Sequence, residues 1–310
     1  MSPSCRRPAA VSSLALVVAA LALLVVIAGC GPATTASPVA SLPASSAAPS
    51  ASATPAGPAQ LILRVTVEGG FIGPAANLAA VPEVSVYADG RIMTPGPVDA
   101  IYPGPLLPPV AILDVGSVGA ANIEAAIRAA GLDKPSSASP GGVPGDLGTT
   151  VFAVNLDGAI VTTRLVLSGG GPGLPGGLGS PDPAAAAAKD LLARLLDPAD
   201  TWGAPHVVSS TLVPTAYRVF VAPGAPAGDG LSPTPAVAWP LSTPLDELGT
   251  PAVPDRGIEG LRQGAVFGAD AAVLGPVLAS ANSQTAFISA GNLYTLYVRP
   301  LLPDEVPGPG

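Results

Sequence analysis

Three tight turns, each between two runs rich in β-formers, constrain the fold of this 310-residue chain more than any other feature. The turns are Asp89-Gly90, Asp157-Gly158 and Ala290-Gly291-Asn292. Asp-Gly and similar short turns adopt positive φ and match the twist of antiparallel strands, so each predicts a β-hairpin. The hairpin strands are predicted at 84–87 with 91–94, at 150–155 with 159–167, and at 285–289 with 293–299. The sequence therefore predicts a sheet that is built from antiparallel pairs of neighbouring strands.

Helices are predicted between the hairpins. Ser117 is a candidate cap for a helix over 118–130, in which Glu124 and Arg128 have the i,i+4 spacing of an ion pair. Asp182-Pro183 opens a second helix that runs to 196, and a third over 269–281 contains Pro276. Further strands are predicted at 61–67, 110–115, 217–221, 236–239 and 262–267. The predicted fold class is therefore α+β, β-hairpins with a few packed helices.

The order of elements repeats along the chain. A helix followed by a hairpin occurs in 118–167 and again in 269–299. This repetition gives the hypothesis of two related α+β units, predicted at 60–200 and 201–302, which form one larger domain or two small ones. A flexible Gly/Pro-rich insertion is expected at 168–180, and 303–310 is predicted to be a disordered tail.

The N-terminus has the features of an export signal. Arg6-Arg7 precedes an apolar run over 11–28, which ends in Ala28 and Gly29. This pattern predicts a signal peptide over 1–29, and the arginine pair leaves both the general secretory and the twin-arginine routes open. Ile27-Ala28-Gly29-Cys30 resembles the lipobox of bacterial lipoproteins. The resemblance implies cleavage after Gly29, diacylglycerol on Cys30 and a position on the outer face of the cell membrane. An ordinary signal peptide or an uncleaved anchor is the alternative.

The segment after Cys30 is predicted to be a disordered tether over 30–59. Residues 31–59 contain no charged and no aromatic residue, so they cannot bury enough surface to offset the entropy of ordering. Removing 1–29 takes two arginines from the net charge of −8 and leaves −10. An acidic chain without basic clusters excludes nucleic acid as an expected partner. Cys5 leaves with the signal peptide, so no disulfide is expected.

Two further resemblances concern the folded part. The runs YADGRIMTPGP at 87–97, AIYPGPLLP at 100–108 and LYTLYVRPLLPDE at 293–305 resemble a group of uncharacterised exported proteins of actinobacteria and Chloroflexi. That resemblance implies no activity. The element order of 61–197, with Gly69-Gly70-Phe71-Ile72-Gly73 after the first strand, is similar to emfourin, an inhibitor of thermolysin-type metallopeptidases.

The chain offers few groups for catalysis. His206 is the single histidine, so neither a zinc site nor a Ser-His-Asp triad is predicted, and no cofactor is expected. Gly171 to Gly176 match G-x-G-x-x-G, but Pro172 and Pro175 lack the N–H groups that would bind phosphate. Carboxylates at Asp197 and Asp200 have no opposing partner of the kind that glycosidases need.

Aromatic side chains are the remaining candidates for recognition, at Phe71, Tyr102, Trp202 and Trp239. The favoured hypothesis is a non-enzymatic lipoprotein that binds or scaffolds an envelope protein, peptide or glycan. The alternatives are an inhibitor of a secreted metallopeptidase, acting through Phe71, and an envelope hydrolase that uses carboxylates.

Overall fold

Two β-sheets and three helices make up the part of the chain that the computed structural model describes, residues 59–69, 77–135, 148–166, 183–226, 234–252 and 257–307. All of these residues belong to one compact unit, Ala53–Gly310. The fold class is α+β, as predicted.

The first sheet has seven strands, and all of its neighbouring strands are antiparallel. Its strands are β1 (Leu61–Glu68), β2 (Val84–Tyr87), β3 (Arg91–Pro95), β4 (Val110–Asp114), β5 (Thr149–Val154), β6 (Val161–Leu165) and β7 (Val208–Thr211). Their order in the sheet is β6-β5-β1-β2-β3-β4-β7. The two Asp-Gly turns connect β2 to β3 and β5 to β6, so both hairpins predicted in this region are present.

The second sheet has six strands. They are β8 (Tyr217–Pro223), β9 (Val237–Ala238), β10 (Thr250–Pro251), β11 (Arg262–Val266), β12 (Ala286–Ser289) and β13 (Asn292–Pro300). Their order is β10-β11-β8-β13-β12-β9, and only the pairing of β9 with β12 is parallel. The predicted third hairpin is β12 and β13, joined by Ala290 and Gly291, both at positive φ.

The helices are α1 (Gly116–Ala129), α2 (Pro183–Leu196) and α3 (Gly268–Ser280), the last with Pro276 inside it. The prediction that Ser117 caps α1 is wrong. The helix begins at Gly116, two residues before the predicted start, and has no side-chain cap, while the Asp114 carboxylate accepts a hydrogen bond from Gly116 N–H at 2.9 Å. Within the described residues, no helix is both long and apolar enough to span a bilayer.

Each sheet buries an apolar face under helices. Ile123 and Ile127 of α1 and Leu191 of α2 pack with residues of β1 and β2 in the core of the first sheet. Leu274 and Leu278 of α3 pack with residues of β8 and β13 in the core of the second. These positions recur at three- and four-residue intervals along the helices and at two-residue intervals along the strands, the spacings that place side chains on one face of each element.

Two strands of the structure were not predicted. β7 pairs with β4, although all four of its residues are exposed and show no apolar alternation. β10 has only two residues. Because β7 belongs to the first sheet, that sheet extends past the boundary predicted between residues 200 and 201.

The helix-and-hairpin repeat enters the two sheets in different ways. The hairpin after α1 joins its sheet through its first strand, β5, which pairs with β1. The hairpin after α3 joins through its second strand, β13, which pairs with β8. The shared element order therefore does not correspond to a shared strand topology, and relatedness of the two units stays a hypothesis.

Candidate functional site

An open groove with a volume of about 510 Å³ lies at one end of the second sheet. Its walls come from the end of β8, the starts of β11 and β13, and the turn before β10. The side chains that line it include Val221, Pro223, Asp246, Arg262, Asn292, Leu293 and Tyr294. The volume is within the range of about 300–1,000 Å³ that is usual for small-molecule sites.

Arg262 supplies the positive charge of the groove. It is the first residue of β11, opposite Val221 in the strand register, and is half-buried. Its Nε donates to the Leu248 carbonyl at 3.3 Å, and one terminal nitrogen donates to the Gly249 carbonyl at 2.9 Å. No carboxylate among the described residues forms an ion pair with it. A guanidinium has five N–H donors, so donors remain for a ligand.

Asp246 supplies a negative charge to the same groove. It lies in the turn before β10 and is exposed. The neighbouring Leu245 is fully buried, and its N–H donates to Ser289 Oγ at 3.0 Å, which fixes this turn against β12. Asp246 and Arg262 form no ion pair with each other. The groove therefore presents two opposite charges at separate points.

The remaining wall is largely apolar. Val221 and Tyr294 are buried at the base, whereas Leu293 is 43% exposed. Asn292 begins β13 just after the turn and offers an exposed amide. The β12–β13 turn positions Asn292 and Leu293, because its Gly291 adopts the positive φ of 79° that this tight connection requires.

This combination is suited to binding and offers little for catalysis. One arginine, one exposed carboxylate and an apolar wall can hold a polar ligand, but the described residues that line the groove include no histidine, cysteine, serine or lysine. Across the described part of the chain, no cluster of His, Cys, Asp or Glu could hold a metal ion.

A second concentration of charge lies where the C-terminal segment meets the first sheet. We call Arg64, Tyr87, Arg299, Asp304 and Glu305 the C-terminal clasp. Arg64 donates to both Asp304 oxygens at 2.8 and 3.0 Å, and the buried Tyr87 hydroxyl donates to Asp304 at 2.7 Å. Arg299 donates to both Glu305 oxygens at 2.7 Å. Arg299 pairs with Glu305 through two separate nitrogens, which is the strong bidentate arrangement for these two groups, whereas a single nitrogen of Arg64 donates to both oxygens of Asp304.

The clasp corrects the prediction of a disordered tail for residues 303–307, while 308–310 lie outside the described residues. Asp304 and Glu305 have side chains only 19% and 14% exposed. Leu302 is fully buried against Tyr87, Met93 and Val110 of the first sheet. The segment is ordered because its carboxylates find partners on β1, β2 and β13, which its Pro/Gly-rich composition did not reveal.

The clasp shifts two pKa values. Burial raises the pKa of the Tyr87 hydroxyl well above its usual range, and the hydrogen bond to Asp304 raises it further. Burial also raises the pKa of Glu305, but the hydrogen bonds from Arg299 and from Leu302 N–H outweigh it, so the net pKa is lowered. Each acidic group of the clasp is paired, which favours a structural role over a catalytic one.

The predicted aromatic candidates lie apart from the groove. Trp202 is 2% exposed in the first core, with the Arg194 guanidinium 3.9 Å above its ring. Trp239 is 8% exposed in the second core and meets Phe287 edge-to-face. Both rings are core residues, so the expectation that they could bind a ligand is not supported by their positions. Tyr102 is 59% exposed, and its hydroxyl accepts a hydrogen bond from Gln284 Nε2 at 2.8 Å.

The other predicted residues divide into two groups. Gly29, Cys30 and Phe71 lie outside the described residues, so their roles stay predictions. His206 is exposed in the loop before β7. The groove itself was missed, because Arg262 and Asn292 come together with Asp246 only when β8, β11 and β13 assemble.

No protein-family model, curated protein sequence or solved structure matches the chain.

Proposed function

We propose that this chain is a lipid-anchored binding protein of the cell envelope, held on the outer face of the membrane through Cys30. The groove at the end of the second sheet is the proposed ligand site. The observation that carries the binding role is Arg262, a half-buried arginine that lines an open groove without a carboxylate partner among the described residues.

Support for the anchor comes from the sequence. Ile27-Ala28-Gly29-Cys30 ends an apolar run, and the charge-free segment 31–59 follows it. Two acyl chains hold a protein stably on a bilayer, whereas one chain gives only marginal binding. A segment of 29 residues spans about 30 Å as a coil and up to about 90 Å when extended, which leaves the groove accessible to envelope ligands.

Metabolic labelling with an alkyne-bearing palmitate tests the anchor. In a bacterial host, the full-length chain should carry the label and collect in the membrane fraction. Cys30→Ser should remove the label. Cys5→Ser is the matched control, because Cys5 precedes the predicted cleavage site and its loss should leave the label unchanged. An unlabelled wild-type chain would contradict the proposal.

Affinity capture tests the binding role. The tagged full-length chain, solubilised in detergent, should retain one envelope component that an Arg262→Met variant retains at least tenfold less. Equal retention by wild type and variant would rule out the groove as the binding site. Capture of a metallopeptidase that is lost in Phe71→Ala, but kept in Arg262→Met, would instead favour the inhibitor alternative.

A further inference from the structure

We propose that the groove binds a small zwitterion with an apolar body, an amino acid or short peptide with a free carboxylate and a free ammonium group. In this arrangement Arg262 binds the carboxylate, Asp246 binds the ammonium, and the wall of Val221, Pro223, Leu293 and Tyr294 contacts the apolar side chains. This inference rests on the proposed binding function and names the ligand class of the same groove.

In the proposed complex, Arg262 binds the carboxylate of the ligand. Two of its donors are used by the Leu248 and Gly249 carbonyls, which hold the guanidinium in place without neutralising its charge. A planar guanidinium fixed at one edge matches a carboxylate with its remaining donors. A neutral ligand could accept hydrogen bonds from these donors, but it has no charge to pair with the guanidinium.

In the proposed complex, Asp246 binds the ammonium group of the ligand. Among the described residues, Asp246 is the only acidic side chain on the groove wall, and its turn is fixed by the Leu245 N–H bond to Ser289. A ligand with only a carboxylate would bring a second negative charge toward Asp246. A ligand with opposite charges at its two ends satisfies both groups, which reduces the cost of removing each from water.

The apolar wall accounts for the body of the ligand. Leu293 keeps 43% of its surface exposed at the rim, and Pro223 lines the same groove. Contact with an apolar side chain removes this surface from water and contributes favourably to binding. A free sugar would leave much of it uncovered.

Calorimetric titration of the full-length chain in detergent tests the assignment, with the dipeptide Leu-Leu as the probe. Its C-terminal amide and its N-acetyl form each remove one charge. We expect the dipeptide to bind, the amide to bind at least tenfold more weakly, and the acetylated form to bind several-fold more weakly. Equal binding of all three, or binding of none, would overturn the inference.

Variants connect each ligand charge to its residue. Arg262→Met should abolish the difference between dipeptide and amide, and Asp246→Asn should abolish the difference between dipeptide and acetylated dipeptide. Retention of either difference in its variant would overturn the assignment of that charge. Arg218→Met is the matched control, because Arg218 lies at the far end of β8 and does not line the groove. It should keep both differences.

A second variant keeps the inference testable if Arg262→Met does not fold. Asn292→Asp adds a negative charge to the groove at an exposed position and leaves the two bonds of Arg262 to the carbonyls in place. It should weaken binding of the acetylated dipeptide, which carries only the negative charge, at least fivefold, and unchanged affinity for that probe would overturn the inference. A chain that is lipidated and captures an Arg262-dependent partner, yet binds no dipeptide, would refute the ligand class and leave the proposed function standing.

Discussion

Gly90 and Gly158 follow an aspartate in the two Asp-Gly hairpins, yet their surroundings differ. Both have positive φ, 97° and 81° respectively. A Cβ on Gly90 would overlap the backbone of Gly116 at the start of α1, whereas a Cβ on Gly158 would have no described atom within 4 Å. The first glycine is therefore needed for its conformation and for close packing, and the second for its conformation alone.

We expect Gly90→Ala to lower the free energy of unfolding by about 3 kcal/mol, because the conformational cost adds to a backbone clash. Gly158→Ala should cost only about 1 kcal/mol. Urea denaturation followed by circular dichroism measures both. Equal losses in the two variants would show that the approach of Gly90 to Gly116 contributes nothing.

The ion pair predicted for Arg128 from helical spacing is not the one that forms. The spacing predicted that Arg128 pairs with Glu124, but Arg128 pairs with Asp157 at 3.1 Å and with Asp133 at 3.5 Å. Asp157 belongs to the turn of the β5–β6 hairpin, distant in sequence from α1. An exposed arginine has a long, mobile side chain, and an exposed ion pair contributes little free energy. Arg128 can therefore pair with a loop carboxylate that the fold brings near instead of with its helical neighbour.

At the scale of elements, the C-terminal segment is ordered by its hydrogen-bond partners. Leu301 N–H donates to the Ala216 carbonyl at 2.9 Å, and the buried Leu302 follows directly. Glu305 then accepts hydrogen bonds from Arg299 and from Leu302 N–H, so it holds the turn closed on β13. A segment rich in proline is ordered here because its partly buried carboxylates are hydrogen-bonded.

Glu305→Gln should lower the free energy of unfolding by about 2 kcal/mol at pH 7, because a charge-assisted bidentate pair is lost. The pKa of Glu305 is lowered in the folded state, so its stabilisation is present above the unfolded pKa of about 4.3. The stabilisation is lost as the pH falls through the folded pKa. Denaturation from pH 7 to about pH 2.5 should therefore show the variant and the wild type converging in acid.

Glu247→Gln is the control for this pH profile. Glu247 is exposed in the turn that carries Asp246, and it forms no ion pair with a described residue. Its substitution should leave the profile within experimental error of the wild type. A constant difference between Glu305→Gln and the wild type at all pH values would contradict an electrostatic role for Glu305.

For the whole molecule, the clasp connects the two sheets. Arg64 and Tyr87 belong to the first sheet, Arg299 to the second, and Asp304 and Glu305 follow the last strand. A further connection joins the β3–β4 loop to the end of α3, where Leu106 N–H donates to the Ala281 carbonyl at 3.1 Å. The two sheets are thus expected to unfold together.

A chain that ends after Leu302 should lose about 3 kcal/mol of stability, because Arg64 and Arg299 are left partly buried without their carboxylates. A chain that ends after Pro307 keeps the clasp and should match the full length. Differential scanning calorimetry should give one transition for the full chain and a lower Tm for the shorter one. An unchanged Tm after removal of 303–310 would contradict the connecting role of the clasp.

The sequence by itself determined the local elements. Asp-Gly turns, two-residue alternation and three- to four-residue helical spacing are set by neighbouring residues, so the hairpins and α2 could be located from sequence pattern alone. The tertiary structure alone decided the edge strand β7, the order of 303–307 and the groove. Each depends on partners far away in the chain: β7 on β4, Asp304 on Arg64 and Tyr87, and Arg262 on the strands around it. Local pattern carries no information about such partners, because they meet only when the sheets assemble.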